Sequence, residues 1–164
     1  MTARLLCLLV LLLEARGFSI SFARQKWKML IYYTQLSNLA AACASALLVV
    51  RGQAQWVTAL RYISTAMLVM TFFVTVFVLI PMGGDPIILL FSGSGLYHHV
   101  LCPVISTLSY IFFENHAGLE CLWLPVAVTL SYGLLMLWLN WTARADGPYP
   151  FFRVRHQAPL ATAV

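Results

Sequence analysis

Apolar residues run along this chain in membrane-length stretches, punctuated by a few short polar clusters. Met29–Val50 carries no charge between Lys28 and Arg51, and about twenty apolar residues let a helix cross the hydrocarbon of a bilayer. Trp56–Met82 is a second such stretch, with one charge, Arg61, near its start. Cys121–Ala143 is a third, with Trp123, Trp138 and Trp141 near its ends, where indole rings anchor helices at the interface. Pro86–Phe113 is uncharged but interrupted by Ser92-Gly93-Ser94-Gly95. That break predicts a short apolar loop or re-entrant turn, then a helix from about Leu96 to Phe113. At the N-terminus Leu5–Leu13 has the length of a signal-peptide core, but Glu14 and Arg16 follow it without a clear small-residue cleavage site. A first membrane helix from about Arg4 to Phe22, with Glu14 facing protein, is the preferred reading. A cleaved signal peptide over residues 1–17 is the alternative.

Composition agrees. The 164 residues are 62% hydrophobic and 9% charged, against the roughly 25% charge of a soluble domain. The ten-residue alternation of a membrane β-barrel is absent. The expected fold is therefore an all-α polytopic transmembrane helix bundle of about five spans. The bundle covers residues 1–146, and 147–164 form a short polar C-terminal tail that opens on the turn Asp146-Gly147-Pro148-Tyr149-Pro150. The aromatic run Tyr149–Phe152 is expected to rest at the interface.

The net charge of +5 is spread thinly over segment ends, so it points to membrane lipid as partner and not to nucleic acid. With five spans, Arg24, Lys26, Lys28, Arg144, Arg153 and Arg155 fall on one side, and Arg4 and Arg51 on the other. The positive-inside rule then puts the N-terminus outside and the C-terminus in the cytoplasm of a cell membrane. Arg61 is expected to snorkel to the outer face. Cys7, Cys43, Cys102 and Cys121 show no metal or redox spacing and read as small core residues. Pro103 and Pro125 are expected to kink their helices.

Two polar clusters carry the candidate chemistry. One is Tyr32-Tyr33-Thr34-Gln35-Leu36-Ser37-Asn38, the other Tyr97-His98-His99 with Pro103 beyond it. Polar and ionisable groups at membrane depth are costly unless they have partners or a task. Thr34 and Asn38 share a helix face that Ala41 and Ser45 continue, which suits either close helix packing or a nucleophile with an oxyanion donor beside it. His98 shares a face with Ser94, Cys102, Ser106 and Ser109. His99 shares one with Gly95, Pro103 and Tyr110. A threonine hydroxyl needs a base to attack at neutral pH, and histidine can serve. If the second span begins at Met29, Thr34 lies roughly 8 Å into the membrane, near the depth of both histidines. Glu14 is the candidate orienting acid, with a pair to Arg16 as its structural alternative. Asp85 reads as a turn residue, and Glu114 and Glu120 fall on the far side. No metal site and no cofactor are implied, because adjacent histidines point apart on a helix and no nearby cluster adds ligands.

Those two clusters, together with Gly147-Pro148-Tyr149-Pro150-Phe151, resemble bacterial multi-pass membrane proteins. These in turn resemble the androgen-induced and androgen-dependent tissue-factor-pathway-inhibitor-regulating family of intramembrane threonine hydrolases. The resemblance runs from the first helix to about Arg155. It implies a threonine and histidine dyad that cleaves esters of fatty acids with hydroxy fatty acids, with Thr34 at the nucleophile position. Counted back from Pro103, His98 or His99 aligns with the family histidine, with a slight preference for His99. The family has six spans, the last one after the Gly-Pro-Tyr-Pro-Phe turn, and here the chain ends at Val164 without it.

The expected function is hydrolysis of a lipid ester through an acyl-enzyme on Thr34, with Asn38, Gln35 or the second histidine stabilising the oxyanion. The alternatives are a small membrane transporter, a lipid-binding bundle, or an inactive short form of the hydrolase fold. A hydrolase needs threonine and histidine in contact. A transporter needs a continuous polar route.

Overall fold

The computed structural model describes residues 1–145 and 147–152. Asp146 and residues 153–164, with Arg153, Arg155 and most of the expected tail, lie outside the described residues. The described chain is helical, without strands. Five helical segments are long and apolar enough to cross a membrane, as the hydropathy pattern predicts.

Met1–Pro125 forms one compact unit. In it α1 is Thr2–Gln25, followed by a 3-10 turn at Lys26–Ile31. Helix α2 is Tyr33–Arg51, and α3 is Gln55–Val74, continued by a π-helical turn at Thr75–Leu79. A short π-helical piece, Ile87–Phe91, precedes α4, which runs Gly93–Phe113. The four helices form a ring in which α1 packs on α2, α2 on α3, α3 on α4, and α4 on α1. At one end, Gln53 beyond α2 donates to the Phe113 carbonyl (3.3 Å), and the Asn115 N–H donates to Gln53 Oε1. Asp85 caps Ile87–Phe91 by accepting the Ile87 and Ile88 N–H groups at 2.8 and 3.3 Å, the turn role its sequence context suggests.

The bundle is small and polar inside and apolar outside, the reverse of a soluble protein. On α1 the buried positions are Ala3, Cys7, Val10, Glu14, Gly17 and Ser21, alternating steps of four and three as in a tight helix–helix seam. On α2 they include Thr34, Ser37, Asn38, Ala41, Ser45 and Leu48. Small and hydroxylated side chains let helix backbones approach closely in lipid, where large apolar residues gain nothing from facing inward. The large apolar residues accordingly point out: Leu12 is 70% exposed and Phe77 64%.

Three local features depart from a uniform helix reading. The second span does not begin at Met29. Tyr32 is extended, and α2 starts at Tyr33, so Thr34 is the second residue of its helix and sits nearer the end of the span than a start at Met29 implies. In α4 the Cys102 N–H bonds five residues back, to Tyr97, and the turn Leu96–Leu101 is widened to π. Pro103 lacks an N–H and its ring crowds the carbonyl four residues earlier, so widening the turn before it relieves that conflict. Pro125, by contrast, lies in the first turn of its helix, where a missing N–H is tolerated without a kink. Gly95 is where Ile87–Phe91 folds back onto α4, since a Cβ there would meet the Leu89 carbonyl oxygen at 2.4 Å.

The second unit, Val126–Val164, contains most of the last helix, α5 (Trp123–Trp141), and the described part of the chain after it. Tyr149 and Phe152 are buried there, and the Tyr132 and Phe152 rings lie 6.0 Å apart. This aromatic run therefore packs back on its own unit.

Cys7 and Cys102 are core residues as expected, but Cys43 is exposed and Cys121 half-buried, so those two belong to the outer faces.

Candidate functional site

His98 is where the candidate residues converge. It is 1% exposed and is held among α1, α2 and α4. Its approach to α1 requires Gly17: a Cβ there would lie 2.3 Å from His98 Nε2 and 3.0 Å from Tyr97 Cβ. The Phe18 ring packs 5.0 Å from the imidazole. On α2, Gln35 Nε2 lies 3.1 Å from His98 Nδ1 and donates to Ser21 Oγ at 3.1 Å. An amide N–H donating to Nδ1 leaves the hydrogen of the neutral ring on Nε2. That edge faces Glu14, with Nε2 3.5 Å from Oε2.

Glu14 lies at the middle of α1 and is 1% exposed. Its partner is His98, and Arg16, the alternative partner, is exposed. The 3.5 Å separation exceeds a good hydrogen bond of about 2.7–3.2 Å. Among the described residues, His98 Nε2, both Glu14 oxygens, Gln35 Oε1 and Asn38 Oδ1 are buried without hydrogen-bond partners. Asn38 uses its amide nitrogen on the backbone, donating to the Thr34 carbonyl (2.7 Å) and the His98 carbonyl (3.3 Å).

Thr34 is 8% exposed, and its carbonyl also accepts from Ser37 Oγ at 3.0 Å. It stands beside Gln35 in sequence. Among the described residues, neither histidine ring is hydrogen-bonded to the Thr34 hydroxyl.

His99 faces the other way, as neighbouring residues on a helix must. Its Nδ1 lies 3.3 Å from Thr75 Oγ1. Thr75 donates to the Thr71 carbonyl (2.8 Å), and the Thr71 and Ser37 hydroxyls are 2.8 Å apart. His98 therefore joins Glu14, Gln35 and Asn38, whereas His99 joins a hydroxyl row on α3.

A second buried polar cluster lies toward the other end of the unit, and it overturns the expectation for Arg61. Arg61 is 0% exposed. Its Nε and Nη2 donate to the two oxygens of Glu114, both at 2.9 Å, and Nη1 donates to Ser45 Oγ at 2.9 Å. Ser109 Oγ donates to Glu114 Oε1 at 2.6 Å, and Cys7 Sγ lies 3.9 Å from it. Snorkelling would have left Glu114 buried alone, whereas a two-pronged pair satisfies both charges. Glu114 is thus a structural partner, on the far side from Thr34 as the topology predicts. Arg61 near the start of α3 and Glu114 just past α4 are at matching ends of antiparallel neighbours, and that was the signal for the pair. Gly17 and Ser21, which seat His98 and Gln35, carry no sequence signal beyond their small size.

Among the described residues, no group of three or more histidine, cysteine or acidic side chains is placed to hold a metal ion. No family model, curated protein or solved structure matches the chain.

Proposed function

We propose that this chain is a multi-pass cell-membrane hydrolase of lipid esters, with Thr34 as nucleophile and His98 as its base. One observation carries the reading: a buried imidazole held between a carboxyl group and the side-chain amide of Gln35, the residue that follows Thr34 in the chain. In the proposed reaction the Gln35 amide swings off His98 Nδ1, which frees that nitrogen to take the Thr34 proton. The released amide N–H turns to the ester and donates to the oxyanion, with Asn38 as the second candidate donor. The Nε2–H stays aimed at Glu14, which orients the ring and stabilises the imidazolium. The alkoxide attacks the ester carbonyl, and His98 returns the proton to the departing alcohol. Water then repeats the sequence and releases the acid from Thr34. The family resemblance of the sequence motifs supports Thr34 as the nucleophile, and its slight preference for His99 makes the choice of base rest on the contacts of His98. His99 remains the second candidate base, reached by the same test.

The topology belongs to this proposal: Arg24, Lys26 and Lys28 lie at the cytoplasmic end of the first two spans, and Arg4 and Arg51 at the outer end. The transport reading gains less support. The buried polar row of α3 includes Arg61, Ser64, Thr65, Thr71 and Thr75, but Met67 and Leu68 interrupt it.

The test is labelling of the detergent-purified protein by a fluorophosphonate, which captures activated hydroxyls. Labelling is expected in the wild type, lost in Thr34→Ala and His98→Ala, and kept in His99→Ala. Loss in His99→Ala with retention in His98→Ala would transfer the base to His99. Absence of labelling in folded wild-type protein would remove the hydrolase in favour of a lipid-binding bundle or an inactive form.

A further inference from the structure

The unmet hydrogen-bonding capacity around His98 is unbalanced in a way that selects a ligand. Among the described residues, Gln35 Oε1 and Asn38 Oδ1 are buried acceptors with no donor, while the Glu14 carboxyl faces His98 Nε2–H and the Cys102 thiol. Each of these oxygens belongs to a residue in contact with His98: Gln35 through Nδ1, Asn38 through the His98 carbonyl, Glu14 through Nε2. These three residues and His98 are more than nine-tenths buried. A proton on Glu14 adds a donor on the α1 side and leaves the amide oxygens of Gln35 and Asn38 as they are. A plain fatty ester brings acceptor oxygens and no donor, so it pairs with His98 and leaves the amide oxygens of Gln35 and Asn38 bare. A ligand with hydroxyl groups supplies what those oxygens lack. Unpaired buried acceptors penalise the wrong ligand more than a good contact rewards the right one.

We infer that this unsaturated cluster recognises a lipid whose polar part carries free hydroxyl groups, an acylated polyol with unesterified hydroxyls, through Gln35 Oε1, Asn38 Oδ1 and Glu14. This deepens the proposed function, which supplies the ester, but recognition of the hydroxyls stands without turnover.

The experiment therefore uses ligands that cannot be hydrolysed. Binding of 1-O-octadecylglycerol to the full-length protein in detergent is compared with binding of its dimethyl ether, which has the same skeleton and no O–H. Thermal unfolding followed by tryptophan fluorescence, titrated with each lipid, gives the two affinities. The diol is expected to bind at least about tenfold more tightly, the return on two net hydrogen bonds. Gln35→Met and Asn38→Ala each remove one acceptor and are expected to reduce that ratio several-fold. Glu14→Gln, which keeps the shape while replacing one acceptor by a donor, provides a third variant if either of the others fails to fold. Equal binding of the two lipids by the wild type would overturn the inference, as water would then be the natural partner of these oxygens. A diol preference unchanged in every folded variant would overturn it too, by locating the hydroxyls elsewhere. Failure of fluorophosphonate labelling with the diol preference intact would remove the hydrolase and leave this inference standing.

Discussion

The bundle buries polar groups in two places and treats them oppositely. Around Arg61 and Glu114 every strong donor in reach meets an acceptor: two guanidinium–carboxylate bonds and one to Ser45, each at 2.9 Å, and a Ser109 bond at 2.6 Å. Around His98 and Glu14 the nearest approach of the ionisable pair is 3.5 Å, and five buried atoms lack partners among the described residues. Both regions are equally shielded, so burial does not separate them. The difference is saturation. A saturated cluster has nothing left to offer a ligand and serves the fold. An unsaturated one costs the fold stability and persists for what it can bind.

The sharpest way to break this contrast is to exchange stability against activity. His98→Ala is expected to lower ester hydrolysis by roughly 10²–10⁴-fold, the usual worth of a general base, while lowering the unfolding midpoint less than loss of Arg61 does, because the under-bonded ring leaves a cavity but no stranded charge. Hydrolysis rates and thermal unfolding on the same preparation check both halves. A large loss of stability with retained hydrolysis would make His98 structural.

Arg61→Met should do the reverse. It strands Glu114 at 7% exposure and should cost about 3–5 kcal/mol, whereas the double change Arg61→Met with Glu114→Leu should recover most of it, since an apolar pair replaces a buried ion pair at little net cost. Unfolding in mixed micelles measures this. Equal loss in the single and double variants would mean that Arg61 acts through its packing and not through its charge.

Gly17→Ala lies between these two extremes. The added methyl would overlap His98 Nε2 at 2.3 Å, so α1 and α4 must part, at about 1–3 kcal/mol. Combining it with His98→Ala removes the obstruction and should restore stability without activity. A double variant as unstable as Gly17→Ala alone would place the clash with Tyr97 instead.

Hydropathy made the helices legible because a bilayer demands length and apolarity of each span separately, and the five spans read from the sequence match those observed. Glu14 and the two histidines were legible as groups to examine together, since few ionisable groups reach membrane depth. Rotation about each helix axis was not. Depth alone made His98 and His99 equivalent, and the packing of α4 against Gly17 sends one ring toward α1 and the other toward α3. The widened turn before Pro103 is part of that rotation, and a hydropathy pattern has no term for it. Arg61 was misread for a related reason. A long cation near a helix end can reach water from either face, and whether it turns inward depends on a carboxylate from another helix. The start of α2 was misplaced because Met29–Ile31 is as apolar as a helix while its backbone belongs to the 3-10 course Lys26–Ile31, which breaks at Tyr32.

The smallest expected effect tests whether His99 belongs with the saturated or the unsaturated region. Its contact with Thr75 is 3.3 Å, and Thr75 already donates to the Thr71 carbonyl at 2.8 Å, so its hydroxyl proton is committed to the backbone. The His99–Thr75 contact is then a long bond to a hydroxyl that already has a better one. Thr75→Val keeps the shape and removes both bonds. Hydrogen bonds between membrane helices average about 0.6 kcal/mol, so the midpoint should shift by roughly that amount and fluorophosphonate labelling should not change. Because the helix keeps its i−4 backbone bonds without the hydroxyl, even that small shift should come from the loss of His99 alone, and Thr75→Val in a His99→Phe background should then cost nothing further. Loss of labelling in Thr75→Val would instead identify Thr75 and His99 as the hydroxyl and imidazole that work together, and the saturation argument would fail at a place where, among the described residues, threonine and histidine meet directly.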